Sequence, residues 1–150
     1  LRYSSFKIKN KKKQIKIFEE FDPSIPKILI DKSLLIQVFE NLLNNAYEAS
    51  SLSFNSFIKL STKFIYGETI KIPNIKESQK KNYLLVKIDD NGSGIKKNEL
   101  SKIFLPFFST KKRGSGIGLY LVKRIINLHD GIISVDCNDN LTSFRIKLSL

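Results

Sequence analysis

Cysteine is almost missing from this chain. It holds one, Cys137, so no internal disulfide can form, and a reducing, cytoplasmic setting is expected. No apolar run approaches the roughly 20 residues of a membrane-spanning helix, and no signal peptide opens the sequence. Acidic residues are scarce: 14 stand against 26 Lys and Arg, for a net charge of +12. Such an excess accompanies nucleic acid, anionic membranes or phosphate-rich small ligands. Here the lysines are scattered among Asn, Ile and Ser, as A+T-rich codon usage also produces. No basic patch interleaved with aromatics points to nucleic acid. Internal repeats are absent. A chain opening on Leu1, not Met, is expected to be a piece of a longer protein.

What remains is globular. The 150 residues are 41% hydrophobic, with 11 Phe and 5 Tyr, enough for one domain with one core. Residues 1–13 are basic and read as a linker or incoming strand. Alternation over "QIKIFEEF" (Gln14 to Phe21) predicts a half-buried strand, and "DPSIP" a turn. Asp31 or Ser33 can cap the next helix, in which Leu35, Val38, Phe39, Leu42, Ala46 and Ala49 form one apolar stripe. "SFIKLSTKFIY" reads as a strand. The polar, Pro-broken stretch from Gly67 to Asn82 reads as a hairpin loop or insertion. "YLLVKIDD" is a strand with Leu84, Val86 and Ile88 on one face. A glycine turn, a short helix, an aromatic-then-glycine segment and a second amphipathic helix (Leu119 to His129) follow. "GIISVDC" and "SFRIKLSL" close the chain as paired strands about "NDN". This order predicts an α+β sandwich, not a doubly wound sheet.

Three features carry chemistry. Gly92/Gly94 and Gly114/Gly116/Gly118 form two glycine clusters. The second feeds a helix N-terminus, where free N–H groups and the dipole favour an anion; an ordinary loop is the alternative. There is no Gly-Lys-Ser/Thr ending for a P-loop, and no preceding strand for a Rossmann turn. Asp90 ends a strand just before its glycine turn, as an acceptor for an exocyclic amine or as a turn-forming Asp. Asn41 and Asn45 stand one turn apart at the edge of the apolar stripe. Their oxygens suit a hard divalent cation such as Mg²⁺, or they form a solvated flank.

In order along the chain, "NLLNNA" (Asn41 to Ala46), "DNGSGI" (Asp90 to Ile95), "IFLPFFSTK" (Ile103 to Lys111) and "GSGIGLYLV" (Gly114 to Val122) resemble the N, G1, F and G2 boxes of the sensor histidine kinase catalytic domain. That domain is one of the Bergerat-fold (GHKL) ATPases, with gyrase B, Hsp90 and MutL. The resemblance runs from about Gln14 to the C-terminus, and within the family it is greatest to nitrogen-regulation sensor kinases. It implies a two-layer α+β sandwich: a mixed, mainly antiparallel sheet with three helices on one face. Residues 14–150 would be the ATP-binding domain, and 1–13 a linker from an upstream dimerisation domain.

By the same resemblance, Asn45 matches the Mg²⁺ ligand and Asn41 the phosphate-side amide. Asp90 matches the adenine acceptor, in a base pocket with Gly92, Gly94 and Ile95. Phe104, Phe107 and Phe108 match the F box at the root of the lid, and Thr110 and Lys111 its polar and cationic contacts. Gly114, Ser115, Gly116, Ile117, Gly118 and Leu119 match the G2 box around the triphosphate. Asn41 and Lys111 are the implied catalytic residues. Hydrolysing relatives carry Glu where Asn41 stands, and an amide cannot be a general base. Slow hydrolysis and transfer of the γ-phosphoryl group to a protein histidine are therefore expected. The lone histidine, His129, falls at a structural His-Gly-Gly position, with Asp130 replacing a Gly, and is read as a helix-end residue. Lys112 and Arg113 are lid charges or steer the nucleotide.

The implied partners are ATP, a phosphoacceptor dimerisation domain of the same protein and a response regulator. A full-length homodimer and a monomeric fragment are expected, without nucleic-acid or membrane contact. The rival readings are an anti-sigma-factor serine kinase of the same fold and a non-catalytic nucleic-acid-binding module.

Overall fold

Asp31 starts the helical layer. Its carboxylate accepts hydrogen bonds from the N–H groups of Ser33 and Leu34, at 2.8 and 3.0 Å, which satisfies two donors that a helix start leaves unpaired. Of the two capping candidates, Asp31 takes the role. Helix α1 follows over Lys32–Ser50. The computed structural model describes residues 15–50, 55–69, 80–111, 114–138 and 141–150. The expected linker over 1–13, Gln14, and Lys112 and Arg113 lie outside these residues.

The remaining elements are β1 (Lys16–Glu20), β2 (Phe57–Thr69), β3 (Lys80–Asp90), α2 (Lys97–Leu100), α3 (Gly118–Leu128), β4 (Ile132–Asn138) and β5 (Leu141–Ser149). The strands form one five-stranded sheet in the order β1-β2-β3-β5-β4. Among the described residues, only β1 runs parallel to its neighbour. The expected mixed, mainly antiparallel α+β sandwich is the fold observed. Helices α1 and α3 pack on each other and over β2, β3 and β4, and the four-residue α2 adds a contact beside β4.

The core sits between sheet and helices. Val38, Leu42, Leu43 and Ala46 of α1 meet Val122, Ile125 and Ile126 of α3 and Ile58, Val86, Ile88 and Ile146 of the sheet. Ala49 is only half-buried, and Leu43 joins the stripe in addition. Burying a Leu or Ile side chain contributes about 1.5–3 kcal/mol, so this layer dominates the stability.

The expected loop over Gly67–Asn82 is shorter than the sequence pattern suggested. Both flanking strands extend into it, and residues 70–79 lie outside the description. Gly67 is the reason. At φ +56° it absorbs a register shift between Ile65 and Glu68, so the strand bulges and resumes instead of stopping. Its N–H donates to Asn82 Oδ1 at 3.1 Å.

Candidate functional site

A cavity of about 730 Å³ opens between the second half of α1, the end of β3 and the segment leading into α3. That is ample for a small-molecule ligand. Each wall follows from local sequence.

The floor is the end of β3. Leu84, Val86 and Ile88 face the helices, so Asp90, two residues further on, faces them too. The adjacent Asp89 falls on the other face, where it pairs with Lys87 at 3.2 Å and accepts the Ser143 hydroxyl. Strand alternation thus gives two neighbouring carboxylates separate surroundings. Asp90 is only 2% exposed. Burial pushes its pKa up to about 6, against the pull of the Gly92 N–H donated at 2.9 Å, and the charge of Asp89 adds to the rise. Thr142 of β5 is its cross-strand neighbour and lines the same cavity.

The glycine turn after Asp90 is pinned to α1. Ser93 donates its N–H to the Ala49 carbonyl at 3.2 Å. A Cβ on Gly92 would lie 2.4 Å from the Ala49 carbonyl carbon, so only glycine permits this approach. Asn91 ties the turn to β2 by accepting the Phe57 N–H at 2.8 Å. Cys137 accepts the Ile95 N–H at 3.3 Å beneath the turn.

The side wall is α1, where Asn41, Asn44, Asn45 and Glu48 line the cavity. Asn41 donates its side-chain amide to the Gln37 carbonyl at 2.8 Å, which leaves its Oδ1 facing Gly118. Asn45 Oδ1 accepts from Lys111 Nζ at 2.7 Å, and Glu48 accepts from the same ammonium at 2.5 Å. Hard oxygen donors of α1 therefore already converge on a cation, and this donor set suits Mg²⁺.

The lid wall runs into α3. Phe107 donates its N–H to the Gly116 carbonyl at 3.0 Å, closing a loop between them. Gly116 has φ +70°, and a Cβ there would meet the Phe107 backbone at 2.4 Å. Helix α3 begins without a side-chain cap, and Gly118 and Leu119 of its first turn line the cavity. Its unpaired N–H groups and dipole make that end favourable for an anion.

Of the sequence-predicted site residues, Asn41, Asn45, Asp90, Gly94, Ile95, Thr110, Lys111, Gly114, Ser115, Gly116, Gly118 and Leu119 all line this cavity. Three do not. Gly92 is buried behind the turn. Ile117 is 43% exposed. Phe104 packs against the core, with Lys123 Nζ 5.6 Å from its ring centre. Sequence reasoning passed over Glu48, Glu99, Ile103, Thr142 and Phe144, which also line the cavity. Glu48 had a usable signal: it stands three residues after Asn45, on the same side of the helix.

His129 is remote from the cavity, at the far end of α3, about 16 Å along the helix from Gly118. Its Nδ1 lies 2.8 Å from the Ile125 carbonyl, and its Nε2 accepts the Asp31 N–H at 3.1 Å. A carbonyl can only accept, so the proton sits on Nδ1. No helix among the described residues is long and apolar enough to cross a membrane.

Residues 30–150 match the family described as histidine kinase-, DNA gyrase B-, and HSP90-like ATPase. The chain is similar to the sensory histidine kinase/phosphatase NtrB of Azospirillum brasilense, 36% identical over 92% of this chain and 34% of that protein. NtrB of Rhodobacter capsulatus is 41% identical over 88% of the chain and 36% of that protein. The catalytic domain of histidine kinase ThkA superposes with a TM-score of 0.71 at 28% identity, covering 90% of this chain and 78% of that one. The chain spans about a third of the length of the NtrB proteins it matches.

Proposed function

Since the chain belongs to the family of histidine kinase-, DNA gyrase B- and HSP90-like ATPases, we propose that its cavity binds Mg·ATP for phosphoryl transfer to a histidine on a separate dimerisation domain. From there the group passes to a response regulator, in a two-component system of the nitrogen-regulation kind. The observation that carries this reading is the convergence on one cavity of a buried acceptor, Asp90, and a phosphate-favouring end made by Asn41, Asn45, Lys111 and the uncapped start of α3.

Each residue then has a task. The Asp90 carboxylate accepts the exocyclic amine of adenine, while Gly94 and Ile95 border the base. The first turn of α3 and the lid segment from Thr110 to Gly116 surround the triphosphate. Asn45 holds the Mg²⁺, which when bound neutralises phosphate charge. Lys111 adds a positive charge on the lid side. Phosphoryl transfer asks chiefly for positioning and charge stabilisation. As the N–P bond to the acceptor histidine forms, the bond from Pγ to the β–γ bridging oxygen breaks, and ADP leaves. Asn41 cannot take a proton from water, so hydrolysis competes poorly.

His129 is not the acceptor, since both ring nitrogens are engaged away from the cavity. The phosphoacceptor and dimer interface belong to another domain, in a cytoplasmic, homodimeric protein. The test is melting with and without Mg·ATP, followed by mass spectrometry after mixing with a separately supplied dimerisation domain. At one hundred times Kd, nucleotide should add about 2.7 kcal/mol of stability, and one histidine of the added domain should gain a phosphoryl group. A transition temperature unmoved by saturating nucleotide overturns the reading.

A further inference from the structure

Two side chains of α1 close on a single ammonium. Asn45 Oδ1 lies 2.7 Å and Glu48 Oε2 2.5 Å from Lys111 Nζ. Glu48 follows Asn45 by three positions, so one turn of helix presents both to the same side. Both line the cavity. A neutral amide oxygen beside a carboxylate oxygen is a donor set that hard divalent cations select.

We propose that Glu48 is a second protein oxygen of the divalent-cation site, beside Asn45, and that the Lys111 ammonium holds this place until a metal–nucleotide complex displaces it. This rests on the nucleotide reading given above. Two further observations carry it. First, a carboxylate on the wall of a triphosphate cavity repels its ligand unless a cation stands between them. Lys111 supplies such a cation, and a divalent ion supplies a stronger one. Second, the Lys111 and Glu48 side chains are 46% and 57% exposed. Ion pairs in that setting contribute little, so exchanging one cation for another costs little. The same exposure makes two protein oxygens too few to hold Mg²⁺ without phosphates completing its shell. The site therefore loads together with ATP.

The experiment compares ATP affinity by calorimetry in saturating Mg²⁺ and in EDTA, for the chain and for Glu48→Gln, Glu48→Asp and Lys111→Met. The ratio of the two dissociation constants measures the coupling between metal and nucleotide. Glu48→Gln should shrink that ratio at least about tenfold, with metal-free ATP bound as well as before or better. Glu48→Asp should restore part of it, and Lys111→Met should enlarge it. An unchanged ratio in Glu48→Gln overturns the proposal. So does tighter ATP binding by the same factor in both conditions, because Glu48 would then be only an anchor for Lys111. If the unaltered chain binds no ATP in either condition, the nucleotide reading itself fails. If it binds ATP but Glu48→Gln keeps the full ratio, only the role of Glu48 is lost.

Discussion

Asn41 and Gly118 touch across the junction of α1 and α3. The Asn41 Oδ1 faces Gly118 so closely that a Cβ on that glycine would stand 2.7 Å from it. The other end of the amide is tied to the Gln37 carbonyl, so the oxygen has a set direction. The clash would fall on the tip of a side chain and not on backbone, so Gly118→Ala should fold. Ala is also worth up to about 1 kcal/mol over Gly within a helix. The variant should melt no lower than the parent, yet bind Mg·ATP roughly tenfold more weakly, about 1.4 kcal/mol, because Asn41 is pushed aside. Calorimetry alongside thermal melting separates the two effects. Unchanged affinity would remove Asn41 from the phosphate end.

Asp90 sets a pH dependence with opposite consequences for stability and binding. Its folded pKa of about 6 lies above the ordinary 3.8, so the native state holds the proton more tightly than the unfolded chain does. The stability contributed by this group is complete below about pH 3.8 and is lost as pH rises through about 6. The span of some two units corresponds to roughly 3 kcal/mol. Asp90→Asn keeps an oxygen for the Gly92 N–H and removes the buried charge. It should raise the melting temperature at pH 7.5 and flatten this part of the profile. Nucleotide affinity should behave in reverse. It should fall in the parent as pH drops below 6, and be weak in Asp90→Asn at every pH. Equal affinity of the two at pH 7.5 would contradict the adenine assignment.

The parts of fold and site set by local periodicity were legible in the sequence. The apolar stripe of α1 foretold the face that packs on the sheet, and alternation through Leu84, Val86 and Ile88 put Asp90 on that same face. Contacts made by distant parts of the chain were not legible. Glu48 reads as a solvated charge until Lys111 arrives from the far side of the cavity, and the neighbouring Asn45 meets that same lysine from 66 positions away. Thr142 becomes the neighbour of Asp90 only when β5 pairs with β3. Asn44, beside Asn45, is exposed and also lines the cavity. Gly67 misled in the other direction, since a glycine marks a bulge as readily as a strand end.

Phe107 breaks a local rule beside the site. It holds φ +65°, a conformation costing an L-residue about 1–2 kcal/mol, while 78% of it is exposed. Burial therefore cannot be what keeps a phenylalanine there in this domain. Phe107→Gly should stabilise the domain by about 1 kcal/mol, read by denaturant unfolding. Gly116→Ala should do the reverse, because its Cβ meets the Phe107 backbone and strains the hydrogen bond between the two residues. It should also weaken Mg·ATP binding through the lid. A Phe107→Gly domain less stable than the parent would mean that the ring makes a stabilising contact after all.

His129 tests whether the one histidine in the chain is structural. Its ring joins the start of α1 to the end of α3, donating from Nδ1 to Ile125 and accepting the Asp31 N–H on Nε2. The Asp31 carboxylate in turn caps α1. Removing the imidazole leaves one carbonyl and one amide to find water, and both lie near the surface. His129→Ala should therefore cost about 1 kcal/mol for each hydrogen bond lost, roughly 2 in all. Nucleotide affinity should be unchanged, because α1 and α3 meet the cavity at their opposite ends. Phosphoryl transfer to a supplied acceptor domain should continue at the parent rate under conditions where both proteins are folded. Mass spectrometry of the parent after incubation with Mg·ATP should find no phosphoryl group on His129. Abolished transfer in a folded His129→Ala domain, or a phosphorylated His129 in the parent, would make this histidine a participant and reopen the question of where the acceptor lies.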